Sequence, residues 1–235
     1  MIDIQNIVED SLNELWAEYK NEEFCKFSPN SIKEVPDNGL IFIGLNPSLI
    51  ERVKKRLIEK NDISCSFHKL IYDKKKEYKY FHKFFEVAEK TDLNWGHIDI
   101  LYNRETNQKN IEKLYKTDRG KKFIEKQFEI SREVIDHLID PSKPRIFVVT
   151  NALAREYLGK FFDNKPDEDI NYRIGYNFIW NEDLGTYFYK NNAFFFTSML
   201  TGQRSLDNGS YKRLIWHINF IKDKLSIKST LHNTI

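Results

Sequence analysis

The stretch that decides the fold is Leu40-Ile41-Phe42-Ile43-Gly44-Leu45-Asn46-Pro47-Ser48. Its leading apolar residues follow the turn-forming Asp37-Asn38-Gly39 and end at Gly44, a pattern typical of a short strand buried on both faces. Gly44 permits a close backbone approach, and Pro47 fixes the turn that follows the strand. On this motif alone, an ordinary strand-to-helix turn and a functional loop explain Asn46 and Pro47 equally well.

Outward from this strand, the periodicity of apolar residues predicts strands that alternate with helices. The predicted helices cover 2–19, 80–88, 108–139, the residues after an N-cap at Asn151, and 208–225; further strands are predicted over 97–102, 145–150 and 193–197. This alternation predicts an α/β protein, a three-layer α/β/α sandwich with a central, mostly parallel four-stranded sheet.

A single domain is expected over 1–235. It would begin with an N-terminal helix and loop over 1–39 and carry a charged, solvated insertion over 51–79. Residues 163–185 are polar and irregular, and a short hairpin is one interpretation of them.

The composition excludes several classes of protein. With 37 Lys and Arg against 35 Asp and Glu, the net charge is +2, which argues against polyanion binding by bulk charge but leaves room for a local basic face. Two cysteines exclude a disulfide framework and a four-thiolate cluster. No apolar run is long enough for a membrane helix, and the N-terminal stretch lacks the order of a signal peptide. We therefore expect a reduced, cytoplasmic protein, monomeric and not bound to membranes.

Cofactor and metal motifs are missing from the sequence. It contains neither GxxxxGK[ST] nor GxGxxG, and the histidines at 68, 82, 97 and 137 do not have a metal-ligand spacing. We therefore expect no metal and no cofactor.

In a parallel sheet the active site lies in the loops beyond the carboxyl ends of the strands. Besides the loop after Ile43, these are the loops after Tyr102, Thr150 and Thr197. The second, Asn103–Asn107, is either a solvated loop or a site that offers Arg104. The fourth, Ser198–Ser205, offers hydroxyls, a glycine and an arginine, which suit either a phosphate contact or a helix cap.

Taken together and in order, these motifs resemble the uracil-DNA glycosylase superfamily. GLNPS resembles the G-[IM]-N-P-G motif of its mismatch-specific and single-strand-selective branches. HIDILYNRETN, RIFVVTNALAREYL and FFFTSMLTGQR-SLDNGSYKRLIWHI resemble its later strands and loops, so the resemblance spans residues from about 40 to 225. The resemblance implies an enzyme that flips a base out of the DNA duplex and hydrolyses its glycosidic bond without a cofactor.

The resemblance also implies roles for single residues. Asn46 would orient the attacking water, and an aromatic side chain would stack on the flipped base; Phe67 is the first choice for that side chain and Tyr72 competes with it. Contacts to the base are expected from Gly44, Leu45, Phe67, Asp99 and Ser198. Contacts to DNA are expected from Ser48, Arg104, Thr201, Gly202, Gln203, Arg204 and Ser205.

Two positions depart from the pattern of that superfamily. Asp99 stands where a base-reading Asn is expected; an ionised carboxylate only accepts hydrogen bonds, so a pocket strict for uracil is put in doubt. Ser198 stands where a His or Asn is expected, which predicts weaker stabilisation of the leaving base.

The leading hypothesis is a monofunctional DNA base glycosylase in which Asn46 and Ser198 are catalytic. The alternative is a non-catalytic DNA- or base-binding module with a degenerate pocket, which both departures favour. A third hypothesis is an unrelated hydrolase. The absence of a Ser-His-Asp or metal constellation from the sequence argues against it.

Overall fold

A six-stranded central sheet organises the residues that the computed structural model describes, namely 1–60, 64–71, 78–159, 174–202 and 205–227. The helices are α1 (Ile4–Glu18), α2 (Glu51–Lys60), α3 (His82–Thr91), α4 (Gln108–Tyr115), α5 (Asp118–Leu138), α6 (Ala152–Leu158) and α7 (Asn208–Lys224). The strands are β1 (Ile2–Asp3), β2 (Asn30–Ile32), β3 (Glu34–Val35), β4 (Leu40–Gly44), β5 (Ser66–His68), β6 (Trp95–Asp99), β7 (Ile146–Val149), β8 (Ile179–Asn181), β9 (Thr186–Tyr189) and β10 (Asn192–Phe196). Glu23–Cys25 and Lys79–Phe81 form short 3-10 helices.

The central sheet has the strand order β6-β4-β7-β10-β9-β8. The first four strands are mutually parallel, which confirms the α/β class and the parallel arrangement of the four predicted strands. The prediction of four strands in all is wrong, because the hairpin β8–β9 adds two antiparallel strands beside β10. These strands have only three and four residues, too few for a clear alternation of polar and apolar side chains.

The segment predicted as a solvated insertion over 51–79 is partly structured. It contains α2, and β5 pairs in parallel with β2 to form a separate two-stranded sheet. The prediction of a wholly solvated insertion is therefore wrong for 66–68, where backbone pairing to 30–32 fixes the chain. A second small sheet pairs β1 with β3.

Helices cover both faces of the central sheet. Phe42 packs on Phe84 of α3, and Phe195 packs on His217 of α7, so these side chains define one face. On the other face Phe147 stacks on Phe194. Phe194 packs on Phe178, which contacts Tyr176, and the Tyr176 hydroxyl donates to Asp136 of α5. Because successive strand residues point to opposite faces, these two sets of side chains lie on opposite sides of the sheet.

The predicted helix over 108–139 is two helices. The first ends at Tyr115, and Thr117 caps the second, where its Oγ1 accepts a hydrogen bond from the Gly120 N–H (3.1 Å). A threonine side chain that satisfies a free N–H in this way favours a new helix start over continuation. Asn151 caps α6 as predicted, with Oδ1 accepting from Leu153 N (2.8 Å) and Ala154 N (3.1 Å).

Candidate active site

The candidate site lies where the four parallel strands end. Gly44 at the end of β4 and Asp99 at the end of β6 are direct partners in the strand register. β7 lies on the other side of β4, and β10 lies beyond β7. The first and second predicted loops thus leave from neighbouring strands, the usual position of ligand-binding loops in a parallel sheet.

Hydrogen bonds join the first and second loops into one unit. The backbone N–H of Glu105 donates to the carbonyl oxygen of Pro47 (3.0 Å). Thr106 Oγ1 accepts from the N–H of Leu49 (3.0 Å) and lies 3.1 Å from Ser48 Oγ. Ser48, a predicted DNA contact, is exposed at the outer end of this unit.

Asn46 stands between the two loops, and one end of its amide is held by both of them. Nδ2 donates towards three carbonyl oxygens, those of Glu105 (2.7 Å), Pro47 (3.1 Å) and Asn103 (3.2 Å). Because a carbonyl oxygen accepts and cannot donate, this arrangement fixes which end of the amide is nitrogen. Within the described residues Oδ1 has no hydrogen-bond donor, and it is not sealed from solvent. Oδ1 is therefore a positioned acceptor.

Gly44 leaves the space that the Asp99 carboxyl occupies. A Cβ at position 44 would overlap Asp99 Oδ1 and would lie 3.1 Å from His97 Nε2. His97 and Asp99 are two residues apart on β6 and therefore point to the same face of the sheet. The sheet thus brings Gly44, His97 and Asp99 to one point.

His97 lies in an aromatic cluster beneath that point. Its ring packs edge-on against Phe81 (centroids 5.3 Å apart), Phe84 (5.7 Å) and Tyr80 (6.4 Å). The residue is 6% exposed, and no hydrogen-bond partner for Nε2 is present in the part of the chain that the structure describes. Burial, together with the charge of His68, lowers the pKa of His97 to about 3. The imidazole is therefore neutral at neutral pH.

The Asp99 carboxyl is largely but not fully buried, and it accepts no hydrogen bond from the described residues. Its side chain is 18% exposed, and Oδ1 lies 4.0 Å from His97 Nε2, too far for a hydrogen bond. Burial raises the pKa of Asp99 to about 7. With a neutral imidazole beside it, the pair is not an ion pair at neutral pH. A buried carboxyl with a raised pKa at a loop edge is typical of functional sites.

Arg104, a predicted DNA contact, is tied into the protein. Its Nε donates to Ser28 O (3.1 Å), and its Nη2 donates to Asn30 Oδ1 (2.9 Å) and Ser66 Oγ (2.6 Å). Burial lowers the pKa of Arg104 to about 10, so the guanidinium stays charged at neutral pH. These contacts connect the second loop to β2 and β5, and a phosphate contact by Arg104 stays a prediction.

Phe67, the predicted stacking residue, lies on β5 between two anchored neighbours. Ser66 accepts from Arg104, and His68 Nδ1 lies 3.2 Å from Asn30 Nδ2. The Phe67 ring is half-buried and packs against the core, so its stacking role stays a prediction. Tyr72 lies outside the described residues. Leu45, a predicted base contact, has its side chain in the core.

The fourth loop leaves from a more distant strand. Ser198 is exposed just beyond β10, which lies three strands from β6 and two strands from β4 in the order of the sheet. The structure therefore places Gly44, Asn46 and Asp99 on two neighbouring strands and their joined loops, and the catalytic role of Ser198 stays a prediction. Thr201, Gly202 and Ser205 lie in the turn after Ser198, where Gly202 has a φ of +95°. Gln203 and Arg204 lie outside the described residues.

A basic helix follows the first loop directly. α2 carries five Lys or Arg and two Glu over 51–60. Arg52, Lys55 and Arg56 are exposed on it, and the positive charge of Arg56 acts on Arg104. Positive charge therefore lies beside the Asn46 loop.

Sequence reasoning missed His97, because only metal-ligand spacing was considered for the histidines. The signal was available in the alternation of His97-Ile98-Asp99, which puts a histidine and an acid on one face of a strand. Asn103 and Thr106, which hold the loop unit together through a carbonyl and a hydroxyl, had no sequence signal of their own.

No protein-family model, curated protein or solved structure matches this chain. None of the helices in the described ranges is both long and apolar enough to cross a membrane. The same ranges hold no group of three or more His, Cys, Asp or Glu placed to share a metal ion.

Proposed function

We propose that the protein is a DNA base glycosylase that hydrolyses the N-glycosidic bond of a flipped, deaminated base. The observation that carries the proposal is the fixed amide of Asn46. Three carbonyl oxygens hold Nδ2, and Oδ1 is left as an acceptor at the carboxyl edge of the sheet. The basic surface of α2 beside this loop supports a nucleic-acid substrate.

In the proposed reaction the glycosidic C–N bond breaks first, and its electron pair leaves with the base. The resulting sugar cation resembles an oxocarbenium ion. A water molecule that donates a hydrogen bond to Asn46 Oδ1 then adds to the anomeric carbon. Its excess proton passes to solvent or to the departing base. Because a neutral amide is a weak base, Asn46 positions the water and does not deprotonate it beforehand.

The test is base release from labelled duplex and single-stranded oligonucleotides that contain uracil, hypoxanthine, xanthine or a thymine mismatch. Alkaline cleavage of the abasic product reports turnover. We expect Asn46→Ala to reduce the single-turnover rate about 100-fold or more, in the range for loss of one positioned catalytic group.

The matched control is Asn6→Ala, the same substitution at an exposed position on α1. It should leave the rate unchanged. Since Asn46→Ala also removes hydrogen bonds between the loops, urea unfolding and DNA affinity are measured for both variants. Equal base release by folded Asn46→Ala and wild-type protein would contradict the proposal.

The second candidate function is a non-catalytic module that binds DNA or a base. The departures at Asp99 and Ser198 favour it, because neither side chain is of the type expected for reading the base or for stabilising the leaving base. DNA binding that weakens with salt, together with no base release from any oligonucleotide, would support this function instead.

A further inference from the structure

The outward side of α7 carries aromatic and basic side chains in one row. Lys212, Trp216, Phe220 and Lys224 are spaced four residues apart, and side chains at that spacing are neighbours on a helix surface. Trp216 is 67% exposed, and Phe220 is half-buried. Single aromatic residues on a surface need no explanation, but two rings between two lysines form a continuous feature, which we call the α7 row.

The two rings of the α7 row are parallel to each other. The centroids of Trp216 and Phe220 lie 5.8 Å apart, and the planes of the rings differ by 5°. The ammonium group of Lys224 lies 5.5 Å from the centre of the Phe220 ring. Exposed aromatic rings beside cationic groups are the surface on which proteins stack unpaired bases.

Hydrogen bonds from other sides of α7 fix the rotation of the helix. Lys222 Nζ donates to the carbonyl oxygen of Thr91 at the end of α3 (2.8 Å). His217 Nε2 donates to the carbonyl oxygen of Leu184 in the turn between β8 and β9 (2.7 Å). Trp216 cannot turn towards the core without breaking these contacts, so its exposure follows from the way the helix is seated.

The charge of α7 suits an anionic partner. The helix carries four Lys or Arg and one acid, Asp223, which gives it a net charge of +3. Arg213 is exposed beside the row, and Asp223 is exposed near the C-terminal end. From Lys212 to Lys224 the row extends about 18 Å. At about 3.4 Å per nucleotide of a stacked strand, this length spans about five nucleotides.

We propose that the α7 row binds an unpaired strand of nucleic acid, with bases stacked on Trp216 and Phe220 and phosphates paired with Lys212 and Lys224. In a duplex the bases cover each other's faces, so the row prefers unpaired strands. Every base has a π face, so no sequence preference is expected. The proposal goes beyond glycosylase activity, because it requires no base release.

The same side chains fit a membrane surface less well. A helix that lies in the membrane interface buries a broad apolar face. On α7 the exposed apolar surface consists of two rings bordered by charged groups, because its other large apolar side chains, such as Leu214 and Ile218, are buried in the core.

The test is binding of the full chain to a labelled oligothymidylate of about 20 nucleotides, long enough to cover the row, and to a duplex of the same length. Fluorescence anisotropy measures both affinities. We expect the single strand to bind about tenfold or more tightly than the duplex, because two base stacks contribute only to the first. Emission from exposed tryptophan should also be quenched when the single strand binds.

Substitutions of Trp216 test the stacking role. Trp216→Ala should weaken binding of the single strand about fivefold or more, the lower limit for loss of one base stack. Trp216→Tyr keeps a flat ring and should stay within about threefold of the wild-type affinity. The matched control is Trp180→Ala, which removes an exposed tryptophan of β8 and should leave the affinity unchanged. Urea unfolding checks that each variant is folded.

The charge of the row is tested by the double substitution Lys212→Gln and Lys224→Gln. It should make the slope of log K against log salt shallower by about 0.7 for each phosphate that is no longer bound. The double substitution Lys122→Gln and Lys126→Gln, at exposed positions of α5, makes the same change in net charge and should alter the slope less.

Three results would overturn the proposal. They are equal affinity of Trp216→Ala and wild type for the single strand, equal affinity of wild type for single strand and duplex, and Trp216-dependent binding to phosphatidylserine vesicles without binding to the oligonucleotide. Base release together with any of these results would leave the glycosylase proposal intact. Binding of the single strand that depends on Trp216, without base release from any oligonucleotide, would keep the α7 row and favour the non-catalytic candidate.

Discussion

Asp99 shows at the scale of one residue how the fold changes ordinary chemistry. In water its carboxyl ionises near pH 4, but burial without a donor raises its pKa to about 7. The carboxyl stays because Gly44 leaves space for it. A larger residue at position 44 would have to displace either the acid or His97.

We predict that Asp99→Asn stabilises the protein at neutral pH by on the order of 2 kcal/mol. The raised pKa means that the folded state keeps a proton that the unfolded state has already lost. Stability of the wild-type protein therefore falls as pH rises from about 4 to about 7 and levels off above that. Urea unfolding at several pH values measures the difference between wild type and variant, which should vanish below about pH 4.

His97 acts in the opposite direction. Its lowered pKa makes stability fall as pH drops from about 6.5 towards about 3, because only the unfolded state takes up the proton. Both proteins contain His97, so subtracting the stability-against-pH curve of Asp99→Asn from that of the wild-type protein removes most of the His97 contribution. Asp10→Asn, at an exposed position, should change stability by less than about 0.5 kcal/mol at every pH. A wild-type minus Asp99→Asn difference that does not vary with pH would show that Asp99 ionises normally.

At the scale of elements, Arg104 joins the second loop to the small sheet of β2 and β5. We predict that Arg104→Met lowers the free energy of unfolding by about 3 kcal/mol, because charge-assisted hydrogen bonds to Asn30 and Ser66 are removed together. Chemical denaturation measures this. Arg213→Met removes an exposed arginine of α7 and should cost less than about 0.5 kcal/mol. Equal effects of the two substitutions would mean that Arg104 does not hold the loop.

The small sheet of β2 and β5 also explains why Arg104 is a poor indicator of DNA binding. An arginine just beyond a strand gives the same sequence pattern whether it binds a phosphate or forms hydrogen bonds within its own chain. Ser28, Asn30 and Ser66, its acceptors, lie far from it in sequence. Only the pairing of β2 with β5 brings them to it.

At the scale of the whole molecule, the net charge is small, although the surface of α2 is locally basic. We predict that replacing three residues of α2 with Gln weakens DNA binding and makes the slope of log K against log salt shallower, by about one unit for each phosphate that the variant no longer binds. The three residues are Arg52, Lys55 and Arg56. Fluorescence anisotropy over a salt series measures the slope.

The control carries the same change in net charge on another surface. Three exposed basic residues of α5, Lys122, Lys126 and Arg132, are replaced with Gln. If both triple variants reduce the slope equally, DNA responds to net charge alone, and α2 has no special position in binding.

Much of the fold follows from the sequence by itself. Buried strands such as Leu40–Gly44 are continuous apolar runs, and amphipathic helices such as Ile4–Glu18 repeat every three to four residues. These local patterns predicted the parallel strands, most of the helices and the edge of the sheet where Asn46 lies. The hairpin of β8 and β9 was predicted only as one interpretation of 163–185, and its second strand lies beyond that range. The break at Thr117 was missed, because its signal covers only a few residues.

The tertiary structure alone decided how the candidate site is arranged. That Gly44 meets Asp99 depends on the pairing of β4 with β6, and that His97 is neutral depends on the rings that surround it. The free Oδ1 of Asn46 exists because two loops, separated by more than fifty residues, supply the carbonyls that hold Nδ2. Periodicity records which face of an element is buried, whereas pKa values and hydrogen-bond partners depend on contacts between segments distant along the chain, and no local pattern encodes those contacts.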